Sequence, residues 1–322
     1  MTVTLALAGD TMLGRGVADL LARSADLEAY VSDGVRAYLS EADVTLLNLE
    51  CCLSDRGSPW PAPGKLFHFR APPQAAGLLA GLGVDCVTLA NNHALDYGRD
   101  ALLDTRAHLA RAGIRAAGAG PDLERAREPV VLDVRGLRLA VVSVTDHPAD
   151  YAATRERPGV AHADLSSGVP SWLTDTIARA RTAADAVVVS PHWGPNMTTE
   201  PLSYVRAAAT VLADAGATLV AGHSAHVPHG VAPPVLFDLG DFLDDYAVDP
   251  ELRNDLSLLF LVTLDALGPV RLRAVPLKLD YCRTVLARGA DRAWMGSRFI
   301  GASAQLGTPV AWQNGVLTAD LR

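Results

Sequence analysis

The sequence of 322 residues is almost without lysine and contains no run of basic residues. Lys65 and Lys278 are its only lysines, and 28 Lys and Arg stand against 36 Asp and Glu, a formal charge of -8. Nucleic-acid-binding proteins need a positively charged stripe for the phosphate backbone, so the composition argues against nucleic acid as a partner. We attribute the preference for arginine to coding bias.

A long apolar segment is also missing. The longest apolar run, residues 256–264, is interrupted by Ser257 and Thr263 and is about half of the roughly 20 residues that cross a bilayer. Residues 2–8 are mostly apolar, but they lack the basic leader that precedes such a stretch in a signal peptide. We therefore expect no membrane span, no cleaved signal peptide and a cytoplasmic protein.

Cysteine is scarce, and its spacing excludes the common cysteine sites. Cys51, Cys52, Cys86 and Cys282 form no CxxC pair and show no zinc-finger spacing. A domain of this size does not need disulfides for stability, so we expect reduced thiols. The adjacent Cys51 and Cys52 are interpreted as small buried residues that follow a strand, with a redox pair as the alternative.

Apolar residues are plentiful at 49% of the chain, which excludes disorder for most of it. Short β-branched and Leu-rich runs alternate with stretches of helical period, a pattern typical of α/β proteins. Helices are predicted over residues 100–112, 203–215 and about 292–305. Strands are predicted over residues 3–8, 44–48, 86–89, 130–133, 137–144, 186–190, 218–220, 235–238, 256–264 and 270–275.

The pattern contains no internal repeat and no long linker. We therefore predict a single domain over residues 1–322, in which residues 246–322 add strands and a C-terminal helix; a boundary near residue 245 is the alternative. The prolines at 59–63 and 72–73 are interpreted as turns in one long loop between the second and third strands. Such loops often cover an active site.

Polar clusters follow the predicted strands where each strand ends. In open α/β sheets the ligand site lies beyond the carboxyl ends of the strands. Each cluster offers the oxygen or nitrogen donors that divalent metals prefer. The clusters are Gly9-Asp10, Asn48-Leu49-Glu50, Asn91-Asn92-His93, His192-Trp193-Gly194, the GHSAH segment at 222–226, and Gly240-Asp241-Phe242.

Each cluster alone has an ordinary structural interpretation, such as a turn, an N-cap or a hydrogen-bonded histidine. The HxxH of His223 and His226 is stronger, because two imidazoles beside a glycine have little packing value. Recurrence of ligand-type residues at successive strand ends favours a metal site over independent structural accidents.

The ordered segments GDTMLGRG, LLNLE, KLFHFRAPP, LANNHALDYG, SPHWG, AGHSAHV and LGDF resemble those of the CapA family, the poly-γ-glutamate capsule biosynthesis proteins of the calcineurin-like metallophosphoesterase superfamily. The resemblance extends over about residues 3–245. It implies a four-layer α/β/β/α sandwich with a metal centre along one sheet edge. It also implies a cofactor of one or two divalent metal ions, of which Mn, Zn, Fe and Mg are the candidates.

The resemblance also implies roles for individual residues. The implied metal ligands are Asp10, Glu50, Asn92, His192, His223 and His226. Asp10 and His226 would hold the first metal, Glu50 would bridge the two, and the remaining three would hold the second. Asn92 would leave the metal electrophilic because it adds no charge. The adjacent His93 matches a histidine that protonates the leaving group.

The chain departs from the superfamily pattern at Met12 and Glu50, and from the CapA pattern at Asn196, where a glutamate is common, and at Asp241. Met12 stands where the first motif usually has a histidine ligand, so the first metal is expected to be weak or absent. Glu50 is a longer carboxylate in an offset position. Asp241 follows a glycine where the family commonly has asparagine, and it either adds a charge near the site or lies in a turn.

An anionic substrate needs cationic contacts, for which Arg15, Lys65 and Arg70 are the candidates, with solvated surface charge as the alternative. Asp96, Tyr97 and Trp193 are interpreted as structural, with substrate contact as the alternative.

Taken together, the pattern and the resemblance predict a metal-dependent hydrolase that uses a metal-activated water, most simply a phosphoesterase acting on a small anionic molecule. The alternative is an accessory protein of poly-γ-glutamate biosynthesis that either acts on γ-glutamyl amide bonds or has no turnover. The residues do not separate phosphorus from carbon as the target.

Overall fold

Two β-sheets lie face to face at the centre of the molecule, in a computed structural model that describes residues 2–322. The strands are β1 (Val3–Thr11), β2 (Val44–Leu49), β3 (Cys52–Leu53), β4 (Arg70–Ala71), β5 (Cys86–Thr88), β6 (Arg115–Ala117), β7 (Ala119–Gly120), β8 (Val130–Val134), β9 (Leu137–Thr145), β10 (Gly159–Val160), β11 (Ala186–His192), β12 (Leu219–Ala221), β13 (Val231–Ala232), β14 (Val235–Leu236), β15 (Asp241–Leu243), β16 (Leu256–Asp265), β17 (Gly268–Asp280), β18 (Arg283–Leu286), β19 (Ala311–Gln313) and β20 (Val316–Asp320). The helices are α1 (Arg15–Leu21), α2 (Asp33–Leu39), α3 (Ala75–Gly81), α4 (Gly98–Arg111), α5 (Leu123–Arg127), α6 (Ser171–Ala183), α7 (Ser203–Asp214) and α8 (Gly289–Gln305).

The first sheet has the order β19-β20-β17-β16-β1-β2-β5-β6, and the second has the order β13-β14-β12-β11-β9-β8. Strands β1, β2, β5 and β6 run parallel to one another, as do β9, β11, β12 and β14. Their carboxyl ends therefore form one edge in each sheet, where side chains from distant parts of the sequence can meet.

Three apolar layers separate the sheets and helices. Strand β1 shows why, because alternate residues of a strand point to opposite faces. Leu5 and Leu7 join the core between the two sheets, whereas Ala6 and Ala8 join the core beneath the helices of the first sheet. A third core lies between the second sheet and helices α6 and α7. The predicted four-layer α/β/β/α class is confirmed.

The predicted strands and helices are present, most of them with ends shifted by one to three residues. Among the described elements, the sequence pattern missed five helices, α1, α2, α3, α5 and α6, and ten strands of two to five residues, β15 among them. The predicted long loop after β2 also contains β3, β4 and the helix α3, whose Ala75 and Leu79 are fully buried. None of the described helices is long and apolar enough to cross a membrane.

Strand β1 changes its partner strand along its length, and this change positions two acidic residues of the site. Residues 3–7 of β1 pair with β16, whereas its last residues pair with β15, so that Asp10 lies opposite Asp241. The approach is close, because a Cβ atom on Gly9 would lie 1.9 Å from the carbonyl oxygen of Gly240. Only glycine at position 9 allows the two segments to pair here.

Candidate metal centre

The carboxyl ends of both sheets bring a set of acidic and imidazole side chains together in the interior. All its members are buried, and they come from positions more than two hundred residues apart: Asp10, Glu50, His192, His223, His226 and Asp241. Asp10 and Asp241 lie on neighbouring strands, and a β-bridge joins His192 to His223. The structure therefore brings five of the six predicted ligands together and adds Asp241.

One group of potential ligands consists of Asp10, Glu50 and His192. One ligand atom from each lies within 4.8 Å of the others. The Nε2 atom of His192 is 3.6 Å from Oε1 of Glu50, and both atoms are buried without a hydrogen-bond partner. Buried polar atoms are rarely left unpaired, so these two atoms mark a place for a ligand.

A second group consists of Asp10, His226 and Asp241, again with one ligand atom from each within 4.8 Å. The Nδ1 atom of His226 is 2.8 Å from Oδ1 of Asp241 and 3.6 Å from Oδ2 of Asp10. The other oxygen of Asp241 is buried and unpaired. Asp241 thus belongs to the site and does not lie in a turn, which decides between its two interpretations.

Asp10 is the residue common to both groups, whereas the resemblance implied Glu50 as the bridge. The Oδ1 atom of Asp10 lies 2.8 Å from Nδ1 of His223 and accepts a hydrogen bond of 2.8 Å from the amide of Asn48. The carboxamide of Asn48 is fixed in turn by Thr88 and Asn91, which both donate to its oxygen. Sequence reasoning gave Asn48 no role, although it stands in a predicted motif.

The loop that carries His223 and His226 is strained and anchored. Ser224 and His226 have positive φ angles of 110° and 61°, which are costly for residues other than glycine. The buried carboxylate of Asp238 accepts hydrogen bonds from the backbone N–H groups of Ala225 and Gly240, both 2.8 Å. Through Asp238, these two bonds connect the loop of His223 and His226 to the segment that precedes Asp241.

Burial of so many carboxylates leaves the site short of positive charge. Burial and the negative charge of Asp10 raise the pKa of Glu50 well above its usual value. Burial also raises the pKa of Asp241 to about 6, although His226 opposes the shift. A divalent cation would relieve both effects, because it compensates buried anions.

The histidines respond to the same charges in different ways. Burial lowers the pKa of His192 well below its usual value, which keeps a neutral imidazole available as a ligand. Burial acts in the same direction on His226, but the carboxylates of Asp241, Glu50 and Asp10 outweigh it and raise its pKa. For Asp10, burial is outweighed by the hydrogen bond and charge of His223, and its pKa is lowered.

The two asparagines of the ANNH segment have different surroundings. The amide of Asn91 donates to Asn48 and to the carbonyl of Leu49, and its oxygen accepts from the backbone N–H of His93. The oxygen of Asn92 is buried and has no partner. Asn92 is therefore the one of the two that has a ligand atom to offer.

The residues present fit a divalent metal. The unpaired atoms are carboxylate and carboxamide oxygens and an imidazole nitrogen, which are the donors that Mn, Zn and Fe accept. The unpaired atoms of Glu50, His192 and Asp241 belong to the two ligand groups that share the carboxylate of Asp10.

Comparison with known proteins adds an independent observation. The profile of the family described as bacterial capsule synthesis protein PGA_cap matches residues 4–246. The chain belongs to this family. Its match includes every residue of the candidate metal centre.

Curated relatives of this PGA_cap chain carry names from the same field. A "probable polyglutamine synthesis accessory protein" of Mycobacterium tuberculosis is 32% identical over 96% of this chain and 93% of its own length. The "capsule biosynthesis protein CapA" of Bacillus anthracis is 31% identical over 86% of this chain and 68% of its own. The "PGA biosynthesis protein CapA" of Bacillus subtilis is 30% identical over 56% and 48%, respectively.

Met12 stands where the first motif usually has a histidine ligand, and it does not replace that ligand. Met12 is fully buried in the core beneath the helices, and its sulfur accepts a hydrogen bond from the backbone N–H of Gly14. Asp241 brings a third ligand to Asp10 and His226 from the neighbouring strand β15 instead. In this PGA_cap chain the first metal position thus has three potential ligands without Met12.

A cleft of about 250 Å³ opens beside the candidate metal centre. Its lining includes His93 and His226 together with the aromatic rings of Phe67, Phe69 and Tyr246. Arg15 also lines it, with its guanidinium 4.8 Å from the centre of the Phe69 ring and bound to the carboxylate of Asp245. Tyr246 links the cleft to the centre because its hydroxyl donates to Glu50 at 3.2 Å.

Of the three predicted substrate contacts, only Arg15 lies in this cleft. Lys65 is mostly buried and binds the carboxylate of Asp96 at 2.8 Å. Arg70 stacks on Tyr97 at 4.1 Å and donates to the carbonyl of Arg56. The structure thus places Lys65 and Arg70 in contacts within the protein, where their charges are already paired or packed.

One further histidine lies beside the ligand His192 of the candidate centre. His147 follows strand β9, and its ring lies 5.4 Å from that of His192. It is hydrogen-bonded to Asp146, which also accepts from the hydroxyl of Tyr204 at 2.9 Å.

Proposed function

We propose that this protein is an accessory protein in the biosynthesis of the poly-γ-glutamate polymer, and that its metal centre acts on γ-glutamyl amide bonds. Family membership and the names of the relatives support a role in biosynthesis of the polymer, and they favour this role over that of a general phosphoesterase. The observation that carries the catalytic half is the set of buried, unpaired ligand atoms of Glu50, His192 and Asp241 around Asp10.

Asp10, Glu50 and His192 would hold one divalent ion, and Asp10, His226 and Asp241 a second, with Asn92 and His223 as further ligands. A bound metal of this kind lowers the pKa of water and polarises a carbonyl or phosphoryl oxygen. Asn48 and His223 fix the carboxylate of Asp10, and Asp238 fixes the loop of His226.

The cleft fits a γ-linked glutamate chain, which alternates carboxylates with pairs of methylene groups. Asp245 engages two of the five N–H donors of Arg15, so the remaining donors of this side chain would bind a carboxylate. The rings of Phe67, Phe69 and Tyr246 would pack against the methylenes. His93 would exchange a proton with the leaving amine, because it lines the cleft and is held at Nδ1 by Asp96. We also propose a cytosolic location, since the four cysteines are free thiols.

One experiment tests the proposal directly. Protein purified without chelator is analysed for metal and then offered γ-glutamyl oligomers, phosphomonoesters and phosphodiesters with Mn, Zn, Fe or Mg. Cleavage of γ-glutamyl bonds supports the proposal. Cleavage of phosphoesters alone favours the second candidate, a phosphoesterase, which the same ligand set can support. Polymer binding without turnover indicates a non-catalytic accessory, and a metal-free protein that binds no polymer contradicts the proposal.

His93→Gln is expected to lower turnover about a hundredfold, the usual contribution of a positioned acid or base. Metal content should stay at the wild-type level because His93 belongs to neither ligand group. Steady-state kinetics and elemental analysis of the same samples measure both. His108→Gln, on helix α4 and paired with Arg111, is the matched control. Equal turnover in the two variants would remove His93 from the mechanism.

A further inference from the structure

The carboxylate of Asp96 is the most heavily bonded polar group beside the cleft. Asp96 is fully buried, and its Oδ2 atom lies 2.6 Å from Nδ1 of His93 and accepts from the backbone N–H of Phe69 at 2.6 Å. Its Oδ1 atom lies 2.8 Å from Nζ of Lys65 and accepts from the hydroxyl of Tyr151 at 2.9 Å. Four donors thus occupy the roughly four acceptor positions of one carboxylate.

Two of these four contacts come from the segment that forms one wall of the cleft, and a third bond attaches the same segment to the backbone carbonyl of Asp96. This segment, residues 54–69, connects strands β3 and β4 and is named here the β3–β4 loop. It is attached to Asp96 through Lys65, through the N–H of Phe69, and through the N–H of Trp60, which donates to the Asp96 carbonyl at 2.8 Å. Lys65 also donates to the carbonyl of Asn92 at 2.9 Å.

The loop and His93 are in direct contact as well. The ring of Phe69 lies 4.2 Å from the imidazole of His93, and both rings line the cleft. A change in the position of the loop would therefore change both the wall of the cleft and the surroundings of the imidazole.

We propose that Asp96 and Lys65 are positioning residues that fix the imidazole of His93 and the β3–β4 loop as one unit. Asp96 accepts the proton on Nδ1 of His93, so that Nε2 is the atom left to exchange a proton with the substrate. Lys65 compensates the buried charge of Asp96 and attaches the loop. Lys65 is thus a structural cation of the site and not a contact for the substrate anion.

The positioning roles of Asp96 and Lys65 rest on the proposed function in one respect only, the identity of the substrate with which His93 exchanges a proton. The tautomer of His93 and the attachment of the loop can both be measured without metal or substrate. The chain also offers a matched control, because its second lysine, Lys278, is likewise paired with an aspartate, Asp291, at 3.1 Å on the protein surface.

The first test is the tautomer of His93, read from long-range ¹H–¹⁵N correlation spectra and assigned with His93→Gln. The wild type is expected to carry the proton on Nδ1. Asp96→Asn has one acceptor oxygen and an NH₂ group for four donors, so its His93 should shift toward the Nε2–H form. Retention of the Nδ1–H form in Asp96→Asn would overturn the role of Asp96.

The second test is hydrogen exchange of the loop. In Lys65→Met, the backbone N–H groups of Trp60 and Phe69 should exchange roughly tenfold faster or more, because their local opening loses one attachment. Lys278→Met should leave both rates unchanged, and Lys65→Arg should restore part of the protection. Equal rates in Lys65→Met and Lys278→Met would overturn the role of Lys65. A shifted tautomer and faster exchange in a protein that hydrolyses nothing would support these roles and contradict only the catalytic part of the proposed function.

Discussion

Asp10→Asn is expected to lower metal affinity by at least about a hundredfold and turnover by about a thousandfold or more. Asp10 belongs to both ligand groups, so one substitution removes a carboxylate from each metal position. Asparagine has nearly the same shape, and it can still accept from the amide of Asn48. Elemental analysis after dialysis and initial rates at saturating metal measure the two effects.

Asp43→Asn is the matched control for this substitution. Asp43 accepts a hydrogen bond from the N–H of Thr4 at 2.8 Å, at the opposite edge of the same sheet. It should keep the metal and the rate of the wild type. An Asp10→Asn protein that binds metal as tightly as Asp43→Asn would contradict the central role of Asp10.

The second large effect is a pH dependence of stability that metal reverses. Asp241 has a pKa raised from 3.8 to about 6 in the folded protein. The stability it contributes is therefore present below about pH 4 and is lost as the pH rises through 6. A shift of this size corresponds to about 3 kcal/mol in the free energy of unfolding.

Other groups of the site act in the same direction, since burial or neighbouring carboxylates raise their pKa values: Glu50, Asp238, Asp244 and His226. Burial lowers the pKa values of His192, His93 and His229, and these three groups oppose the others as the pH rises toward 6.5. The lowered pKa of Asp10 matters only in acid, below its unfolded value. The metal-free protein should thus be less stable at pH 8 than at pH 5.

Urea unfolding with chelator and with Mn²⁺, at both pH values, measures this effect. Metal should stabilise the protein more at pH 8, because it replaces protons on the same ligands. Asp241→Asn should reduce the difference between the two pH values in the chelated protein. Equal stability of the chelated wild type at pH 5 and pH 8 would contradict the inference that the buried carboxylates of the site lack compensating positive charge.

Much of the candidate site could be predicted because its residues carry a local signal. His223 and His226 follow a short apolar run beside a glycine, and Asp10 follows the first strand; ligand-type residues at strand ends point to one sheet edge. Lys65 shows the limit of such reasoning. A rare cation in a long loop is consistent with a substrate contact, and only the folded chain shows the buried carboxylate that it pairs with.

Asp241 shows the same limit for a metal ligand. Its segment, Gly240-Asp241-Phe242, predicts a turn as well as it predicts a site. The decision depends on β15 taking the edge of β1 beyond the last residue that pairs with β16. That pairing depends on contacts between residues 10 and 241, which no local pattern records.

The sequence by itself determined the alternation of strands and helices and the motifs that supply most of the ligands, because hydrophobic period and residue type are local properties. The four-layer class was implied by the resemblance of those motifs to the CapA family. The tertiary structure alone decided which carboxylate the two ligand groups share, that Asp241 joins them, and that Lys65 faces Asp96 and not the cleft. These are questions of register and of partner choice between distant segments, and they are settled only when the chain buries its charges against one another.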